Sequence, residues 1–266
     1  MQSPLVLLDH HKATFDWRDR LRAGGIHLGL SALVAAAAAL LVFELWYPWP
    51  YRVISGGRDL FLLVVSVDVI LGPLLTFAVF DRAKSRRGLQ RDLAVVAVLQ
   101  LAGLAYGLWT VEIARPVHMA FEFDRFRVVH RVDIPSELES RVPEGLKVAP
   151  LSGPTLLAVR PFKNQQESTD ATLAALQGVQ LGARPDLWET YEAARLRVLQ
   201  AAKPVTELKS RFPQRAAEID AALRQAGRDS AKAAYLPLVA RKAEAWTVLL
   251  DASTAEVIGY LPIDSF

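Results

Sequence analysis

The chain has no cysteine. Disulfides, thiolate zinc sites and a cysteine nucleophile are therefore excluded, and an oxidising compartment is compatible though not required. An excess of one charge is also missing: 31 Lys and Arg stand against 28 Asp and Glu, a net +3. Eleven of the basic and nine of the acidic residues precede residue 115, and the remainder balances at 20 against 19. That leaves no basic face for nucleic acid. Nucleophile elbows, phosphate loops, zinc-helix motifs and dinucleotide fingerprints are absent too, as are repeats and low-complexity tracts. Gly56-Gly57 reads as a loop break. The histidines are scattered at His10, His11, His27, His118 and His130. His10-His11 is a weak metal motif, and His118 and His130 are expected at surface or half-buried positions. Glu189 and Glu192 read as a solvated face, and Asp124 as a local cap or pair for Arg125. The expectation is a protein that is not an enzyme, with no catalytic residues, no cofactor and no metal site.

What is present is apolar length. A bilayer takes about 20 residues per helix, and three segments reach it: about Gly25 to Trp46, Leu60 to Phe80 and Leu93 to Ile113. A cleaved signal peptide does not fit the first, whose run is too long and is followed by two more. Lys12, Arg18, Arg20 and Arg22 mark the N-terminal tail; Arg82, Lys84, Arg86, Arg87 and Arg91 mark the second loop; the first loop has only Arg52 and Arg58. The Lys/Arg rule then puts the tail and second loop in the cytoplasm and everything after the third span on the other side. Trp46, Tyr47, Trp49 and Tyr51 are expected at the outer membrane interface, with Pro48 and Pro50 ending the first helix. The division is a cytoplasmic tail (1–22), a three-span domain (23–114) and an outer domain (115–266).

The outer domain alternates between strand and helix signals. HMAFEFDRFRVVHRV reads as one or two strands and TLLAVRPF as another. Thr169 to Gln177, Pro185 to Ala202 and Val205 to Ala226 show helical spacing, with Pro185 in a first turn and Gly227 as a C-terminal cap. WTVLLDASTAEVIGYLP reads as a hairpin without a turn glycine. The predicted fold class is a membrane protein: a three-helix transmembrane bundle followed by a soluble α+β domain.

One stretch resists the plain reading of a membrane anchor. VSVDVILGPLLTFAVF places Asp68 inside a span, with Gly72 and Pro73 one turn on. A charge at a span centre costs ~2.5–3.5 kcal/mol on insertion scales, so Asp68 must face the bundle. Asp68, Gly72 and Thr76 form one stripe. Gln100, Gly103, Gly107 and Thr110 form another, with Gly103 and Gly107 spaced for close helix approach. His27, Ser31, Ala35 and Ala39 form a third. At ~1.5 Å per residue Asp68 lies roughly 12 Å below the outer edge, level with Gly103 and Tyr106 on the third helix. Three readings stand: an internal hydrogen bond that sets helix register, a docking point for another transmembrane helix, and a proton relay. The last is the weakest, because no continuous chain of ionisable groups crosses the membrane.

At these residues the chain resembles the TfpX/TfpZ type IV pilin accessory proteins. The resemblance is carried by IHLGLSALVA, by VDVILGPLLTFAVF with Asp68, Gly72, Pro73 and Thr76, and by LQLAGLAYGLW with Gln100, Tyr106 and Gly107. ARPVHMAFEFDRFRVV and WTVLLDASTAEVIGYLPID extend it. It runs from about Arg22 to the end and is weakest around 165 to 230. The tail is longer than that family's pattern, and Ala255 stands at a turn position where glycine is expected. The resemblance implies a bacterial inner-membrane factor, its last domain periplasmic, that supports the stability or assembly of a type IV pilin subunit. It implies no enzymatic activity and no cofactor. Two other classes remain open: a membrane-anchored sensor binding a small ligand in its outer domain, and an intramembrane enzyme or ion-coupled subunit using Asp68.

Overall fold

The computed structural model describes residues 17–240 and 245–266. Most of the expected tail, including Lys12 and the His10-His11 pair, lies outside the described residues. Three helices are long and apolar enough to cross a membrane. Helix α1, Trp17–Leu40, runs on through a π-helical turn, Leu41–Trp46. The short α2, Tyr51–Ile54, leads into α3, Gly57–Val79, and α4 is Arg86–Ala114. These helices begin before the apolar runs do. An α-helix satisfies its own backbone, so the first turns of α4, carrying Arg86, Arg87 and Arg91, need no membrane to remain helical. Gly24 and Gly25 do not stop α1 either, since a helical glycine costs only about 1 kcal/mol.

The chain divides into two compact units, one holding residues 17–37 and 63–107 of those described, the other 38–62 and 108–266. In the first unit the ends of the helices are tied by charge. Arg20 donates to the carbonyls of Ala78 at 2.8 Å and Phe77 at 3.3 Å and pairs with Asp81. The last carbonyls of α3 lack intrahelical donors, so a guanidinium there is a C-terminal cap. Asp19 pairs with Arg82 at 2.7 Å, and the Trp17 ring lies 5.5 Å from that of Phe77.

The second unit is built on one mixed sheet. Strands β1, Pro116–Glu122, and β2, Arg125–His130, form a hairpin that turns at Phe123 (φ +58°). β3, Thr155–Val159, runs parallel to β1. After α5, Gln165–Leu176, comes β4, Trp188–Thr190, antiparallel to β3. Then follow α6, Tyr191–Ala201; β5, Lys203–Pro204; α7, Val205–Arg211; and α8, Ala216–Gln225. β6, Ala233–Val239, β7, Trp246–Asp251, and β8, Val257–Leu261, complete the domain. The order is β4-β3-β1-β2-β6-β7-β8, with β5 on β6. The fold is thus the expected one, three apolar helices followed by a mixed α/β sheet domain.

Three details differ from the sequence reading. The helix expected from Pro185 starts only at Tyr191: Pro185–Leu187 is a 3-10 turn, and Trp188–Thr190 is drawn into the sheet by β3. Trp188 is buried with its indole N–H on the Gly182 carbonyl, and the Thr190 hydroxyl then caps α6. The helix expected over Val205 to Ala226 is two, because Pro213 opens a 3-10 turn between α7 and α8. Gly227 follows at φ +65°, as a C-terminal cap requires. Strand β6 was hidden by Pro237. Leu236 and Pro237 fall between the β5 ladder, at Ala234 and Tyr235, and the β2 ladder, at Leu238 and Val239, so the missing N–H breaks neither.

Alternation along β7 sorts the core. Val248 and Leu250 face one cluster with Phe121, Phe126 and Val198 of α6, and Leu249 faces the other with Leu208 of α7 and Leu223 of α8. The hairpin to β8 turns without glycine. Ala255 takes φ +58°, a left-handed conformation that costs a non-glycine residue of order 1–3 kcal/mol. The Asp251 carboxylate holds the turn by accepting from the Ser253 amide and hydroxyl, the Thr254 amide and Arg228. These donors, the Ser253 hydroxyl first, keep that carboxyl well below the usual carboxylate range. The Tyr191 hydroxyl donates to the Ala255 carbonyl at 2.6 Å.

The segment before α3 belongs to this core, which corrects the expected aromatic belt. Tyr47 and Tyr51 are 0% and 5% exposed, whereas Trp49 is 67% exposed. The Tyr51 hydroxyl bonds Tyr260 at 2.9 Å and Met119 Sδ at 3.4 Å, and burial holds it well above the ordinary phenol range. Tyr47 donates to the Val111 carbonyl, and its ring fills the space where a Cβ on Gly57 would stand. An amphipathic ring chooses a membrane interface only where no folded surface offers both an apolar slot and a hydroxyl partner. Tyr51→Ala should therefore cost about 3–5 kcal/mol, as large core truncations do. Trp49→Ala should stay within about 0.5 kcal/mol, the range of exposed substitutions. Urea unfolding of the detergent-solubilised protein, read by near-UV circular dichroism, separates the two; equal losses would restore the belt.

Candidate functional site

Asp68 lies eleven residues from Gly57 and eleven from Val79, at the centre of α3. One turn on, Pro73 has no N–H, so the helix cannot make the bond that would reach the Val69 carbonyl. Gln100 of α4 serves this weakened turn: its Nε2 donates to the Asp68 carbonyl at 3.0 Å. The amide can come so near because residue 72 has no side chain, and a Cβ there would overlap the Gln100 amide group itself. On the other side of the turn α1 approaches through Gly24, where a Cβ would lie 3.4 Å from the Pro73 carbonyl. One turn further, Thr76, only 3% exposed, shares a 2.5 Å hydrogen bond with His27 Nδ1. Glycine and proline thus weaken α3 locally, and both neighbouring helices approach it closely at that point.

Beside this turn a groove of about 560 Å³ opens among the three helices. Ile26, Leu30 and Val34 of α1 and Ala97, Leu101 and Leu104 of α4 form its apolar sides. Its polar lining is His27, Ser31, Asp68, Thr76 and Gln100. The Asp68 carboxylate makes no hydrogen bond among the described residues, and His27 is the ionisable group near enough to feel its charge.

Five of the singled-out residues thus meet in the groove, with Gly72 and Pro73 behind them. The other three do not join. Gly107 packs against the Val64 side chain, whose atoms occupy the place of a Cβ. Gly103 has nothing within 4 Å of a Cβ position, and Tyr106 is 68% exposed. Gln100 stands opposite Gly72 and Gly107 opposite Val64, which brackets Asp68 opposite the turn of α4 that carries Gly103. Seen from α4, the small-residue pair is a single contact, at Gly107. Gly24 was overlooked; its signal was a glycine pair inside an apolar run. The groove's leucines and valines had none, since lipid-facing and partner-facing apolar residues read alike.

The α/β domain holds a smaller pocket, about 250 Å³, whose lining includes Arg127, His130, Asp133 and Gln180. Its charged groups are engaged structurally: Arg127 pairs with the buried Glu122, which also accepts from the Gly182 amide, and His130 Nδ1 meets Asp133 at 3.1 Å. His130 Nε2 has no hydrogen-bond partner among the described residues. His118 and His130 are both buried rather than superficial, and His118 is bonded at Nδ1 to Thr155 and at Nε2 to the Val148 carbonyl. Burial pushes the pKa of His118 down to about 4, so His118 is a neutral part of the core. Among the described residues no three His, Cys, Asp or Glu side chains gather as a metal site would need.

With this geometry in hand, comparison with known proteins gives a family profile, several relatives and no solved structure. The profile of the family described as "Fimbrial assembly protein FimB" matches residues 15–56. The chain is 36% identical over 248 residues to a fimbrial assembly protein, serogroup I, of Dichelobacter nodosus, covering 92% of this chain and 95% of the relative. It is 35% identical over 247 residues to the serogroup E1 protein of the same organism, with the same coverages. A serogroups C1 and C2 protein is 40% identical over 113 residues, 42% of this chain and 86% of that one. No solved structure matches.

The two glycines of α4 can be told apart. Gly107→Leu forces its side chain into a stiff, β-branched Val64 and should cost about 1–3 kcal/mol, as overpacking does. Gly103→Leu enters open space and should leave stability at the parental value. Denaturant unfolding in detergent and the level of each variant in membrane fractions read the difference. If the two behave alike, the seam between α3 and α4 does not run through Gly107.

Proposed function

The chain belongs to the fimbrial assembly protein family, and from that premise we propose that it is a TfpX/TfpZ-type, non-enzymatic accessory factor of the bacterial inner membrane. It holds a type IV pilin subunit before assembly, in the manner of a chaperone. The observation that carries this reading is the groove beside Asp68. A lipid anchor needs no polar lining at mid-span, and an enzyme needs a reactive constellation. A factor that receives another apolar helix needs an open apolar channel with a few polar contacts, which in membranes contribute only about 0.6 kcal/mol each. A membrane-held subunit brings an apolar helix to such a groove, and its folded head is free to make a second contact outside the membrane. Two modest linked contacts give avidity while either alone remains easy to break. That suits a factor whose cargo must leave for the filament.

The orientation that goes with this reading has the start of α1 and the Arg82–Arg91 loop in the cytoplasm and the α/β domain in the periplasm, supported by the Lys and Arg at the first two. Alkaline phosphatase fused after Phe266 should be active and fused after Arg87 inactive; the reverse pattern inverts the assignment.

Pilin contact is tested by site-specific photo-crosslinking in intact cells. Thr76 and Gly107 are unsuitable positions, since both are buried between helices. Leu30 and Leu101 line the groove and are 59% and 64% exposed, and Leu63, outside the groove, is 63% exposed. Crosslinkers at 30 and 101 should capture pilin, one at 63 should not, and deletion of the gene should abolish surface pili. Unchanged pilin and pilus levels on deletion, with no capture from either groove position, would end the accessory reading.

A further inference from the structure

Resting on the reading above, we infer that the helix seated in the groove must present a hydrogen-bond donor, a hydroxyl, amide or ammonium, to Asp68 at the middle of the membrane. Three observations carry this. The first is the extent of the groove. On α1 its lining runs from Ala23 to Val34, eleven residue steps or about 16 Å, and Asp68 and Leu104 lie at the Val34 end. Apolar walls thus lead from the ends of the helices near Phe80 and Leu93 to a carboxylate at the centre of α3.

The second is the state of that carboxylate. Every other polar side chain of α3 and α4 in the lining has work inside the bundle: Thr76 is held by His27, and Gln100 by the Asp68 carbonyl. The Asp68 carboxylate accepts no hydrogen bond from any described residue, though its neighbours His27 and Gln100 both carry donors. It is also partly open to the groove. An acidic side chain at mid-span is costly unless it is partnered, and the one direction in which a partner can arrive is the groove.

The third is what this excludes. A lipid acyl chain fits the apolar walls, but its methyl end would reach mid-span and bring no donor to the carboxylate. An all-apolar helix would cover Asp68 and leave a buried acceptor unpaired, which costs more than leaving it open. Charge and hydrogen-bond complementarity therefore select a helix with a donor at one depth, and the same requirement sets how far that helix sits across the membrane.

The test separates this inference from the accessory reading beneath it. A photo-crosslinker at Leu101 is combined with Asp68→Asn, which keeps an acceptor oxygen, and with Asp68→Leu, which does not. Capture of pilin, normalised to the amount of the variant in the membrane, should stay within about twofold for Asn and fall about tenfold for Leu. A scan of the captured helix, replacing Ser, Thr, Asn, Gln, Lys, Arg and His singly by Ala, should find one position whose loss lowers capture as much and adds nothing further in Asp68→Leu. If Asp68→Leu is poorly retained in the membrane, that scan in the parental protein reads the same contact from the other side. Parental capture in Asp68→Leu, or no sensitive donor in the helix, overturns the inference while pilin capture itself leaves the accessory reading standing. No capture from Leu101 in the parental protein overturns this inference, and with none from Leu30 and unchanged pilus levels on deletion it ends the accessory reading as well; capture of a second copy of this chain in place of pilin overturns both.

Discussion

A backbone carbonyl inside a bilayer has no water to turn to, and Pro73 weakens the hydrogen-bond ladder where α3 is furthest from water. The contact that ties α4 to this weakened turn is the amide of Gln100 on the neighbouring carbonyl of Asp68. Once α4 must deliver that amide, the rest of its register against α3 follows. Gly72 has to be bare to let the amide in, and Gly107 has to be bare where Val64 comes across. α1 is drawn to the same turn from the other side through Gly24 and pinned by His27 on Thr76. The ion pairs Arg20–Asp81 and Asp19–Arg82 hold one end of this arrangement. The residues that weaken α3 as a helix are the ones that fix what packs on it.

The same economy explains why the groove stays open. α3 already has a neighbour on each side at Gly72–Pro73, and the space beside Asp68 is bounded by leucines, valines and alanines of α1 and α4 that meet nothing better. In water such a channel would collapse to hide its apolar walls. In a membrane lipid covers it at little cost, so no hydrophobic force closes it. An open groove on a soluble domain would need an explanation from strain; between transmembrane helices it needs only the absence of side chains long enough to fill it.

Much of this was legible in the sequence, and the limits have physical causes. Length, hydropathy and alternation gave three spans, the hairpins β1–β2 and β7–β8 and the α+β class, because those depend on local pattern. Asp68 and Thr76 were legible because polar atoms in a span must be accounted for. Gln100 was found for the same reason, but its partner was not, since helix register depends on which glycine is used and a spacing of four reads the same at Gly103 and Gly107. Strand β6 was lost because a proline inside a strand is judged by its neighbours, and those came from β2 and β5. Tyr47 and Tyr51 were misplaced because an aromatic ring beside a span has two good homes, and the choice rests on Val111 for Tyr47 and on Tyr260 and Met119 for Tyr51, all more than sixty residues away in sequence.

That last placement bears on how the chain is built. The family profile ends at residue 56, just beyond Tyr51 and Ile54, and both of these lie in the core cluster that also contains Met119, Phe126 and Val248. The sheet domain therefore does not begin where α4 ends. A fragment starting at residue 115 would lack two side chains of its own core and would expose the surface they cover. The contact between Tyr51 and Tyr260 closes a loop of 209 residues, so the core is complete only when the last strand has been made and the segment between α1 and α3 is on the same side of the membrane as that strand. Insertion of the first two spans is then a condition for folding the domain as well as for anchoring it. A chain whose loop stays on the wrong side can form neither the tyrosine pair nor the cluster around it, so the fold itself discriminates against wrongly inserted copies.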